Sequence, residues 1–242
     1  MALTPKVIYE DKDVLVLNKP AGLVVHADGK TKEANVSDWV LENYPKMKDV
    51  GEPTVLQNGE TILRPGIVHR IDRETSGILL LAKNQKAFEF LKKQFQDRTI
   101  EKTYLAFVNG ELKNKKGVID KPIGRSSTDF RRWTCGKGAR GELRDAVTAY
   151  TTLETGKGFS LVEVHPKTGR THQIRVHFKF IQHPVLGDSL YAPKLGYALG
   201  FERLALHAFQ IKFMLPSGKE MSVEAPLPAD FKKAVKLLSF KK

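Results

Sequence analysis

Asp72 lies between Arg70 and Arg73 in the stretch RPGIVHRIDRETSG (residues 64–77), and the apolar run ILLLA follows directly. A carboxylate among guanidinium groups has two roles open to it. It can close a solvated, charged turn. It can also act as a covalent nucleophile, kept ionised because a neighbouring guanidinium lowers its pKa and orients it through a bidentate pair. Local physics favours the turn and leaves the nucleophile open. Candidate arginine partners sit in the same stretch and in GRTHQIRVH (residues 169–177).

Other chemistries find less support. Glu74 is two residues from Asp72, but Thr75-Ser76-Gly77 reads as a turn, which breaks the regular geometry a two-carboxylate hydrolase needs. Seven histidines are present, yet His172 and His177 are five apart, not the four that put two ligands on one helical face, and HExxH is absent. A metal-dependent hydrolase using these histidines is therefore a minor rival. GxSxG, the phosphate-binding P-loop and GxGxxG after a strand are absent as well.

The elements that must position Asp72 are legible from periodicity and turn residues. Val7–Tyr9 and Val14–Leu17 read as strands around an acidic turn, Asn18–Gly22 as a turn, and Leu23–His26 as a further strand. Ser37 is the expected cap of a helix carrying Trp39, Val40, Leu41 and Tyr44, and residues 46–63 read as a loop. Ile78–Ala82 is a buried strand, and Asn84 opens a helix with Phe88, Leu91 and Phe95 on one face. Residues 103–110 form a strand, 113–117 a solvated loop, and 124–145 an irregular segment carrying Arg125, Arg131, Arg132, Lys137, Arg140 and Arg144. AVTAYTTLE and FSLVEVH read as paired strands. Ile174, Phe178 and Ile181 share a helical face, Leu204–Phe213 and Met221–Glu224 form a hairpin, and a helix spans 229–239. This mixture predicts one α+β domain over residues 1–242, built on an antiparallel or mixed sheet with flanking helices.

Composition bounds the partners. The chain has 242 residues, 41% of them hydrophobic and 28% charged, as expected of a globular protein. No apolar run approaches the ~20 residues of a membrane span, and the first residues lack the apolar core of a signal peptide, so a cytoplasmic location is expected. The single Cys135 fits a reducing compartment. Forty Lys and Arg against 27 Asp and Glu give a net charge of +13, which points to a polyanion such as nucleic acid.

With these residues in view, the chain resembles the RluA-type pseudouridine synthases. HRIDRETSGILLLAKN (69–84) resembles their catalytic motif, VLVLNKPAGLVVHADG (14–29) their first motif, EKTYLAFVNG (101–110) their tyrosine strand and HPKTGRTHQIRVHFKFIQHPVLGDSLY (165–191) their third motif. The matches run in family order over residues 7 to about 225. The resemblance implies a central mixed, largely antiparallel sheet with a basic active-site cleft, and isomerisation of uridine to pseudouridine in structured RNA, ribosomal or transfer, without a metal or organic cofactor. By the same resemblance Asp72 is the catalytic aspartate. Tyr104 stacks on the target base and assists proton removal from C5, and Arg175 is the basic partner of the aspartate. Arg70 fills the space of the flipped-out base, and Ile174 lines the pocket. Arg170 and His172 of the third motif, and Arg131 and Arg132 of the basic segment, are expected RNA contacts, with Phe130 and Trp133 as stacking candidates. Two departures stand out. Ala27-Asp28 follows His26 where the family often has proline. The chain also leaves no room for the N-terminal S4 RNA-binding domain of several relatives, so target selection is expected from the catalytic domain itself. A monomer is expected. The alternative is a non-catalytic RNA-binding or ribosome-assembly module on the same fold.

Overall fold

The structure is a computed structural model that describes residues 3–27, 33–56, 59, 61–136 and 138–239. Asp28 and Lys137 lie outside the described residues. The chain divides into two compact units: Met1–Glu101 with Gln210–Ala225, and Lys102–Phe209 with Pro226–Lys242.

In the first unit, β1 (Lys6–Glu10) and β2 (Val14–Lys19) form a hairpin, followed by α1 (Val36–Asn43), the short pair β3 (Thr54–Val55) and β4 (Thr61–Ile62), β5 (Ser76–Ala82) and α2 (Gln85–Gln96). β2 pairs antiparallel with both β1 and β5. Every residue of β5 is buried, which explains its unbroken apolar run: a strand covered on both faces loses the alternation of a half-exposed one. α2 packs on β5 through an apolar face containing Ala87, Phe88 and Leu91, and Asn84 caps it by accepting from the Ala87 N–H at 2.9 Å.

Three local expectations change here. The cap of α1 is Asn35, whose side chain accepts from the Asp38 N–H at 3.0 Å; the Ser37 N–H is spent on the Val25 carbonyl, so Ser37 lies inside the first turn. Leu23–His26 is not a strand but holds a single bridge, Val24 to Asn35, because the Leu23 carbonyl is taken by the Lys19 ammonium. Within 46–63, read as a loop, the β3–β4 pair forms.

The second unit contains β6 (Glu101–Asn109, entering from the first), β7 (Lys116–Asp120), β8 (Ile123–Ser126), β9 (Trp133–Cys135), β10 (Ala139–Arg144), β11 (Val147–Gly156), β12 (Phe159–Pro166) and α3 (Gln173–Phe180). β6, β12, β11 and β7 pair in that order, all antiparallel. α3 lays Ile174 and Phe178 on this sheet, in a cluster with Ala106, Val108, Tyr150, Val162 and Val164, and Ile181 packs at its edge as the helical spacing predicts. Lys116–Asp120, partly read as solvated loop, is a strand burying only Ile119, so its apolar signal is one residue wide.

Residues 124–145 are not irregular. β8 is the centre of a three-stranded antiparallel sheet with β9 and β10. Its charged outer face hid it from pattern reading, while its inner side meets α3 through Ile123, Cys135, Ala146, Val176 and Tyr191. β13 (Leu206–Met214) begins in the second unit and ends in the first, where it pairs with β14 (Glu220–Glu224). α4 (Ala229–Ser239) packs Phe231 against Phe107 and Phe201 in the second unit. The fold is α+β, and the strand pairings named above are antiparallel.

Candidate active site

In the first unit the segment before β5 is pinned at several points. Gly66 adopts φ +66, and a Cβ there would sit 2.1 Å from the Ala82 carbonyl oxygen, so only glycine lets this backbone lie against β5. His69 accepts the Leu80 N–H at 2.9 Å through Nε2 and stacks on Phe95 with ring centres 4.7 Å apart. Ile71 is buried, and the Asp72 carbonyl accepts the Thr75 N–H at 3.1 Å, closing the turn that holds the half-buried Asp72.

Lys19 locks the other side of that turn. It is fully buried, and Nζ donates to the carbonyls of Arg73 (2.9 Å), Leu23 (2.7 Å) and Pro20 (2.9 Å). The Gly22 N–H donates to the same Arg73 carbonyl at 2.9 Å, and Arg73 Nε donates back to the Gly22 carbonyl. The Asn18–Gly22 turn is therefore a clamp on residue 73, next to Asp72. An ammonium can sit in such a site because three carbonyl dipoles offset its desolvation. The two arginines that flank Asp72 diverge. Arg73 pairs with Glu33 at 2.8 Å and braces the clamp, while Arg70 is exposed and donates to His26 Nε2 at 3.4 Å.

In the second unit the third motif forms a turn and α3. Buried Gln173 organises it. Its Oε1 accepts the Thr168 hydroxyl (2.6 Å) and the Arg170 N–H (3.0 Å), and its Nε2 donates to the Val147 carbonyl (3.0 Å). Arg170 itself donates to the Asp145 carbonyl. His172 precedes the helix in the left-handed conformation, φ 56, uncommon for a non-glycine residue and found at functional sites. Its Nδ1 lies 2.9 Å from the Tyr191 hydroxyl, which also accepts the Trp133 N–H at 2.9 Å.

Arg175 is buried. Its Nε and Nη2 donate to the two Asp188 oxygens, both at 2.8 Å, and its guanidinium lies 5.0 Å from the Tyr191 ring centre. Asp188 also accepts the N–H groups of Leu190 and Tyr191, so one residue both orients the guanidinium and shapes the 188–191 turn. Tyr104, half-buried in β6, packs on the hydrophobic cluster to which Ile174 belongs. Lys102, two residues earlier, is half-buried, and its pKa falls to about 8 because burial disfavours the ammonium.

Arg131 and Arg132 converge on one carboxylate. Asp129 takes a bidentate pair from Arg131 and lies 3.4 Å from Arg132 Nε, and these contacts, the Arg131 hydrogen bonds first, hold its pKa down at about 2. His177 spends both ring nitrogens internally, on the Thr148 hydroxyl and the Lys121 carbonyl, and burial lowers its pKa, which fits a neutral core histidine. Lys19, Gln173, Asp188 and Tyr191 were not named from the sequence. The signal for the last two was present in GDSLY, where an acid follows a glycine that no Cβ could replace, since it would lie 2.3 Å from the Arg203 carbonyl oxygen.

Comparison with known proteins gives this geometry a context. Residues 13–180 match the family model described as RNA pseudouridylate synthase. An uncharacterised RNA pseudouridine synthase of Bacillus subtilis, YlyB, is 39% identical over 233 residues, spanning 96% of this chain and 72% of that protein. The ribosomal large subunit pseudouridine synthase D of Zymomonas mobilis is 38% identical over 241 residues, with the same coverage. Among solved structures, human RNA pseudouridylate synthase domain containing 1 aligns with a TM-score of 0.73 at 26% identity, covering 93% of this chain and 84% of that one.

Proposed function

Because this chain belongs to the RNA pseudouridylate synthase family, we propose that it isomerises uridine in ribosomal RNA and that Asp72 is the carboxylate at the centre of the reaction. The reaction is internally balanced: the N1–C1′ bond breaks, a C5–C1′ bond forms, C5 loses a proton and N1 gains one. It needs no external oxidant, reductant or group donor. Asp72 assists departure of the base from C1′. Tyr104 supplies the face on which the extruded base rests and helps remove the C5 proton. Arg175 stabilises the aspartate as an anion, and its bond to Asp188 fixes the guanidinium plane beforehand, so little reorganisation is needed during reaction. Arg70, exposed on the same turn as Asp72, replaces the flipped base in the stack. Ile174 bounds the base pocket, and Arg170 and His172 contact the RNA beside it. We read residues 1–242 as one catalytic domain acting as a monomer.

The observation that carries Asp72 is the investment in its turn: a buried ammonium on the neighbouring carbonyl, a histidine on the β5 backbone and a glycine with no tolerated substitute. A merely solvated turn has no use for such holding. Ribosomal RNA is preferred over transfer RNA because a relative 38% identical carries a ribosomal large subunit name.

Two measurements test the reading. Asp72→Asn should abolish pseudouridine formation while RNA affinity stays within about twofold, since one uncharged-for-charged swap leaves the stacking and phosphate contacts in place; undiminished product from this variant would remove Asp72 from the chemistry. Mapping pseudouridines with and without the gene should show sites lost from ribosomal RNA. Loss from transfer RNA alone would overturn the substrate assignment.

A further inference from the structure

The β8–β10 sheet carries a groove outside the residues assigned to the reaction. Arg125, Trp133, Arg140, Gly141, Glu142 and Arg144 line it, and it measures about 550 Å³, within the range of small-ligand sites. Strand register puts three of these residues in one row. Trp133 on β9 is directly opposite Arg125 on β8, and Arg125 is directly opposite Arg140 on β10. Cross-strand partners project from the same face of a sheet.

This row is hard to explain as structure alone. Two arginines directly opposite one another repel. Nearby carboxylates do not relieve them: Asp129 serves Arg131 and Arg132, and Glu142 pairs with Arg144 at 3.2 Å. Among the described residues neither Arg125 nor Arg140 forms an ion pair. The Arg125 guanidinium instead lies 5.1 Å from the Trp133 ring centre, which makes a combined planar, cationic and aromatic surface. Arg140 is exposed beside it, and the groove is open at Gly141, where an added Cβ would meet no atom within 4 Å. The surface therefore has a flat platform with the unneutralised cation of Arg140 at its edge. An unpaired nucleotide matches both parts, with its base on the platform and a phosphate on Arg140.

We propose that this groove is a second RNA-docking site, which captures an unpaired nucleotide of the substrate away from the reacting uridine. The proposal rests on the reading of RNA as substrate and deepens it. It also moves the RNA contacts expected at Arg131 and Arg132 to Arg125, Trp133 and Arg140. The platform is tied to the reaction machinery of its own unit: the Trp133 N–H is held by the Tyr191 hydroxyl, and the Tyr191 ring packs on Arg175. A docked nucleotide would thus be registered against Arg175, so the groove selects substrates by the spacing between an unpaired nucleotide and the target.

The chain has two tryptophans, Trp39 and Trp133, so Trp39→Phe leaves one reporter in the groove. Titrating this full-length variant with a ten-nucleotide single-stranded adenylate RNA should quench its fluorescence. Trp133→Ala in the otherwise native chain should weaken oligonucleotide binding about tenfold, with Trp133→Phe restoring most of it. Arg140→Glu should weaken binding and reduce its salt dependence, whereas Lys232→Glu on α4, the same change of charge elsewhere, should leave affinity within about twofold. On ribosomal RNA the groove variants should raise KM more than they lower kcat. Absence of quenching, or native affinity in both Trp133→Ala and Arg140→Glu, would overturn the proposal, as would equal quenching by a polyglutamate peptide, which would mark a protein-binding surface. Thermal melts of each variant separate lost folding from lost docking, and if Trp133→Ala fails to fold, Trp133→Phe and Arg140→Glu decide. Quenching by RNA from a protein that forms no pseudouridine would leave the groove standing and remove the proposed reaction instead.

Discussion

At the scale of single residues, Lys19 stands out because its charge serves the backbone. It donates to three backbone carbonyls, one of them the carbonyl next to Asp72. Lys19→Met keeps the volume but withdraws the donor from all three. It should cost on the order of 2–4 kcal/mol in urea unfolding, and it should lower kcat beyond what the unfolded fraction explains. A stable, fully active variant would deny the clamp its role. Lys102 gives a pH signature. Its folded pKa of about 8 lies below the ordinary 10.5, so the unfolded chain holds more protons than the folded one between those values. Stability from this residue therefore rises as pH climbs from about 8 to about 10.5, and the burial penalty is fully present below 8. Lys102→Met should raise stability at pH 7 by on the order of 2 kcal/mol, and the gain should vanish near pH 10.5, read from melting curves across the range. Asp72 could be singled out as a candidate in the sequence because its neighbours form a dense motif. Lys19 was hidden inside a turn-like KPAG, and the partner of Arg175 was hidden because Asp188 lies thirteen residues away.

At the scale of elements, legibility followed the clarity of the apolar signal. β2 and β5 were readable from their apolar runs, and α2, α3 and α4 from the helical periodicity of the faces they bury. The β8–β10 sheet was not, because β10 has five exposed residues of six and presents a charged outer face, so pairing rather than patterning defines it. Helix caps show the same limit on a smaller scale. Ser37 and Asn35 are both good cap types, and only the third dimension, through Val25 taking the Ser37 N–H, decides between them. Asn35→Ala should therefore destabilise by about 1 kcal/mol. Ser37→Ala should cost less than about 0.5 kcal/mol, since its hydroxyl makes only a long 3.4 Å bond to the Val25 carbonyl. Equal losses in chemical denaturation would return the cap to Ser37.

At the scale of the whole molecule, the excess of 13 positive charges makes RNA affinity a function of salt. Binding should fall along a straight line of log affinity against log salt, with a slope near 0.7–0.9 per phosphate contacted. A flat line would mean that the basic surface is not used. The proposed reaction runs on a carboxylate, an aromatic ring and a guanidinium, so pseudouridine formation should persist in excess chelator once the RNA is kept folded with monovalent salt. Activity lost to chelator and restored by a divalent ion would revive a metal-dependent mechanism. Among the described residues no helix is long and apolar enough to cross a membrane.

The clamp on the Asp72 turn also sets a schedule for synthesis. Lys19 and Arg73 are 54 residues apart in the chain. At ribosomal rates of about 5–20 residues per second, the lysine emerges several seconds before the carbonyl it will hold. Throughout that interval β1 and β2 exist without β5, and the ammonium remains in water. The nascent chain therefore cannot complete the turn that holds Asp72 until the β2–β5 pairing closes, so the lysine that arrives first waits on a carbonyl that arrives last.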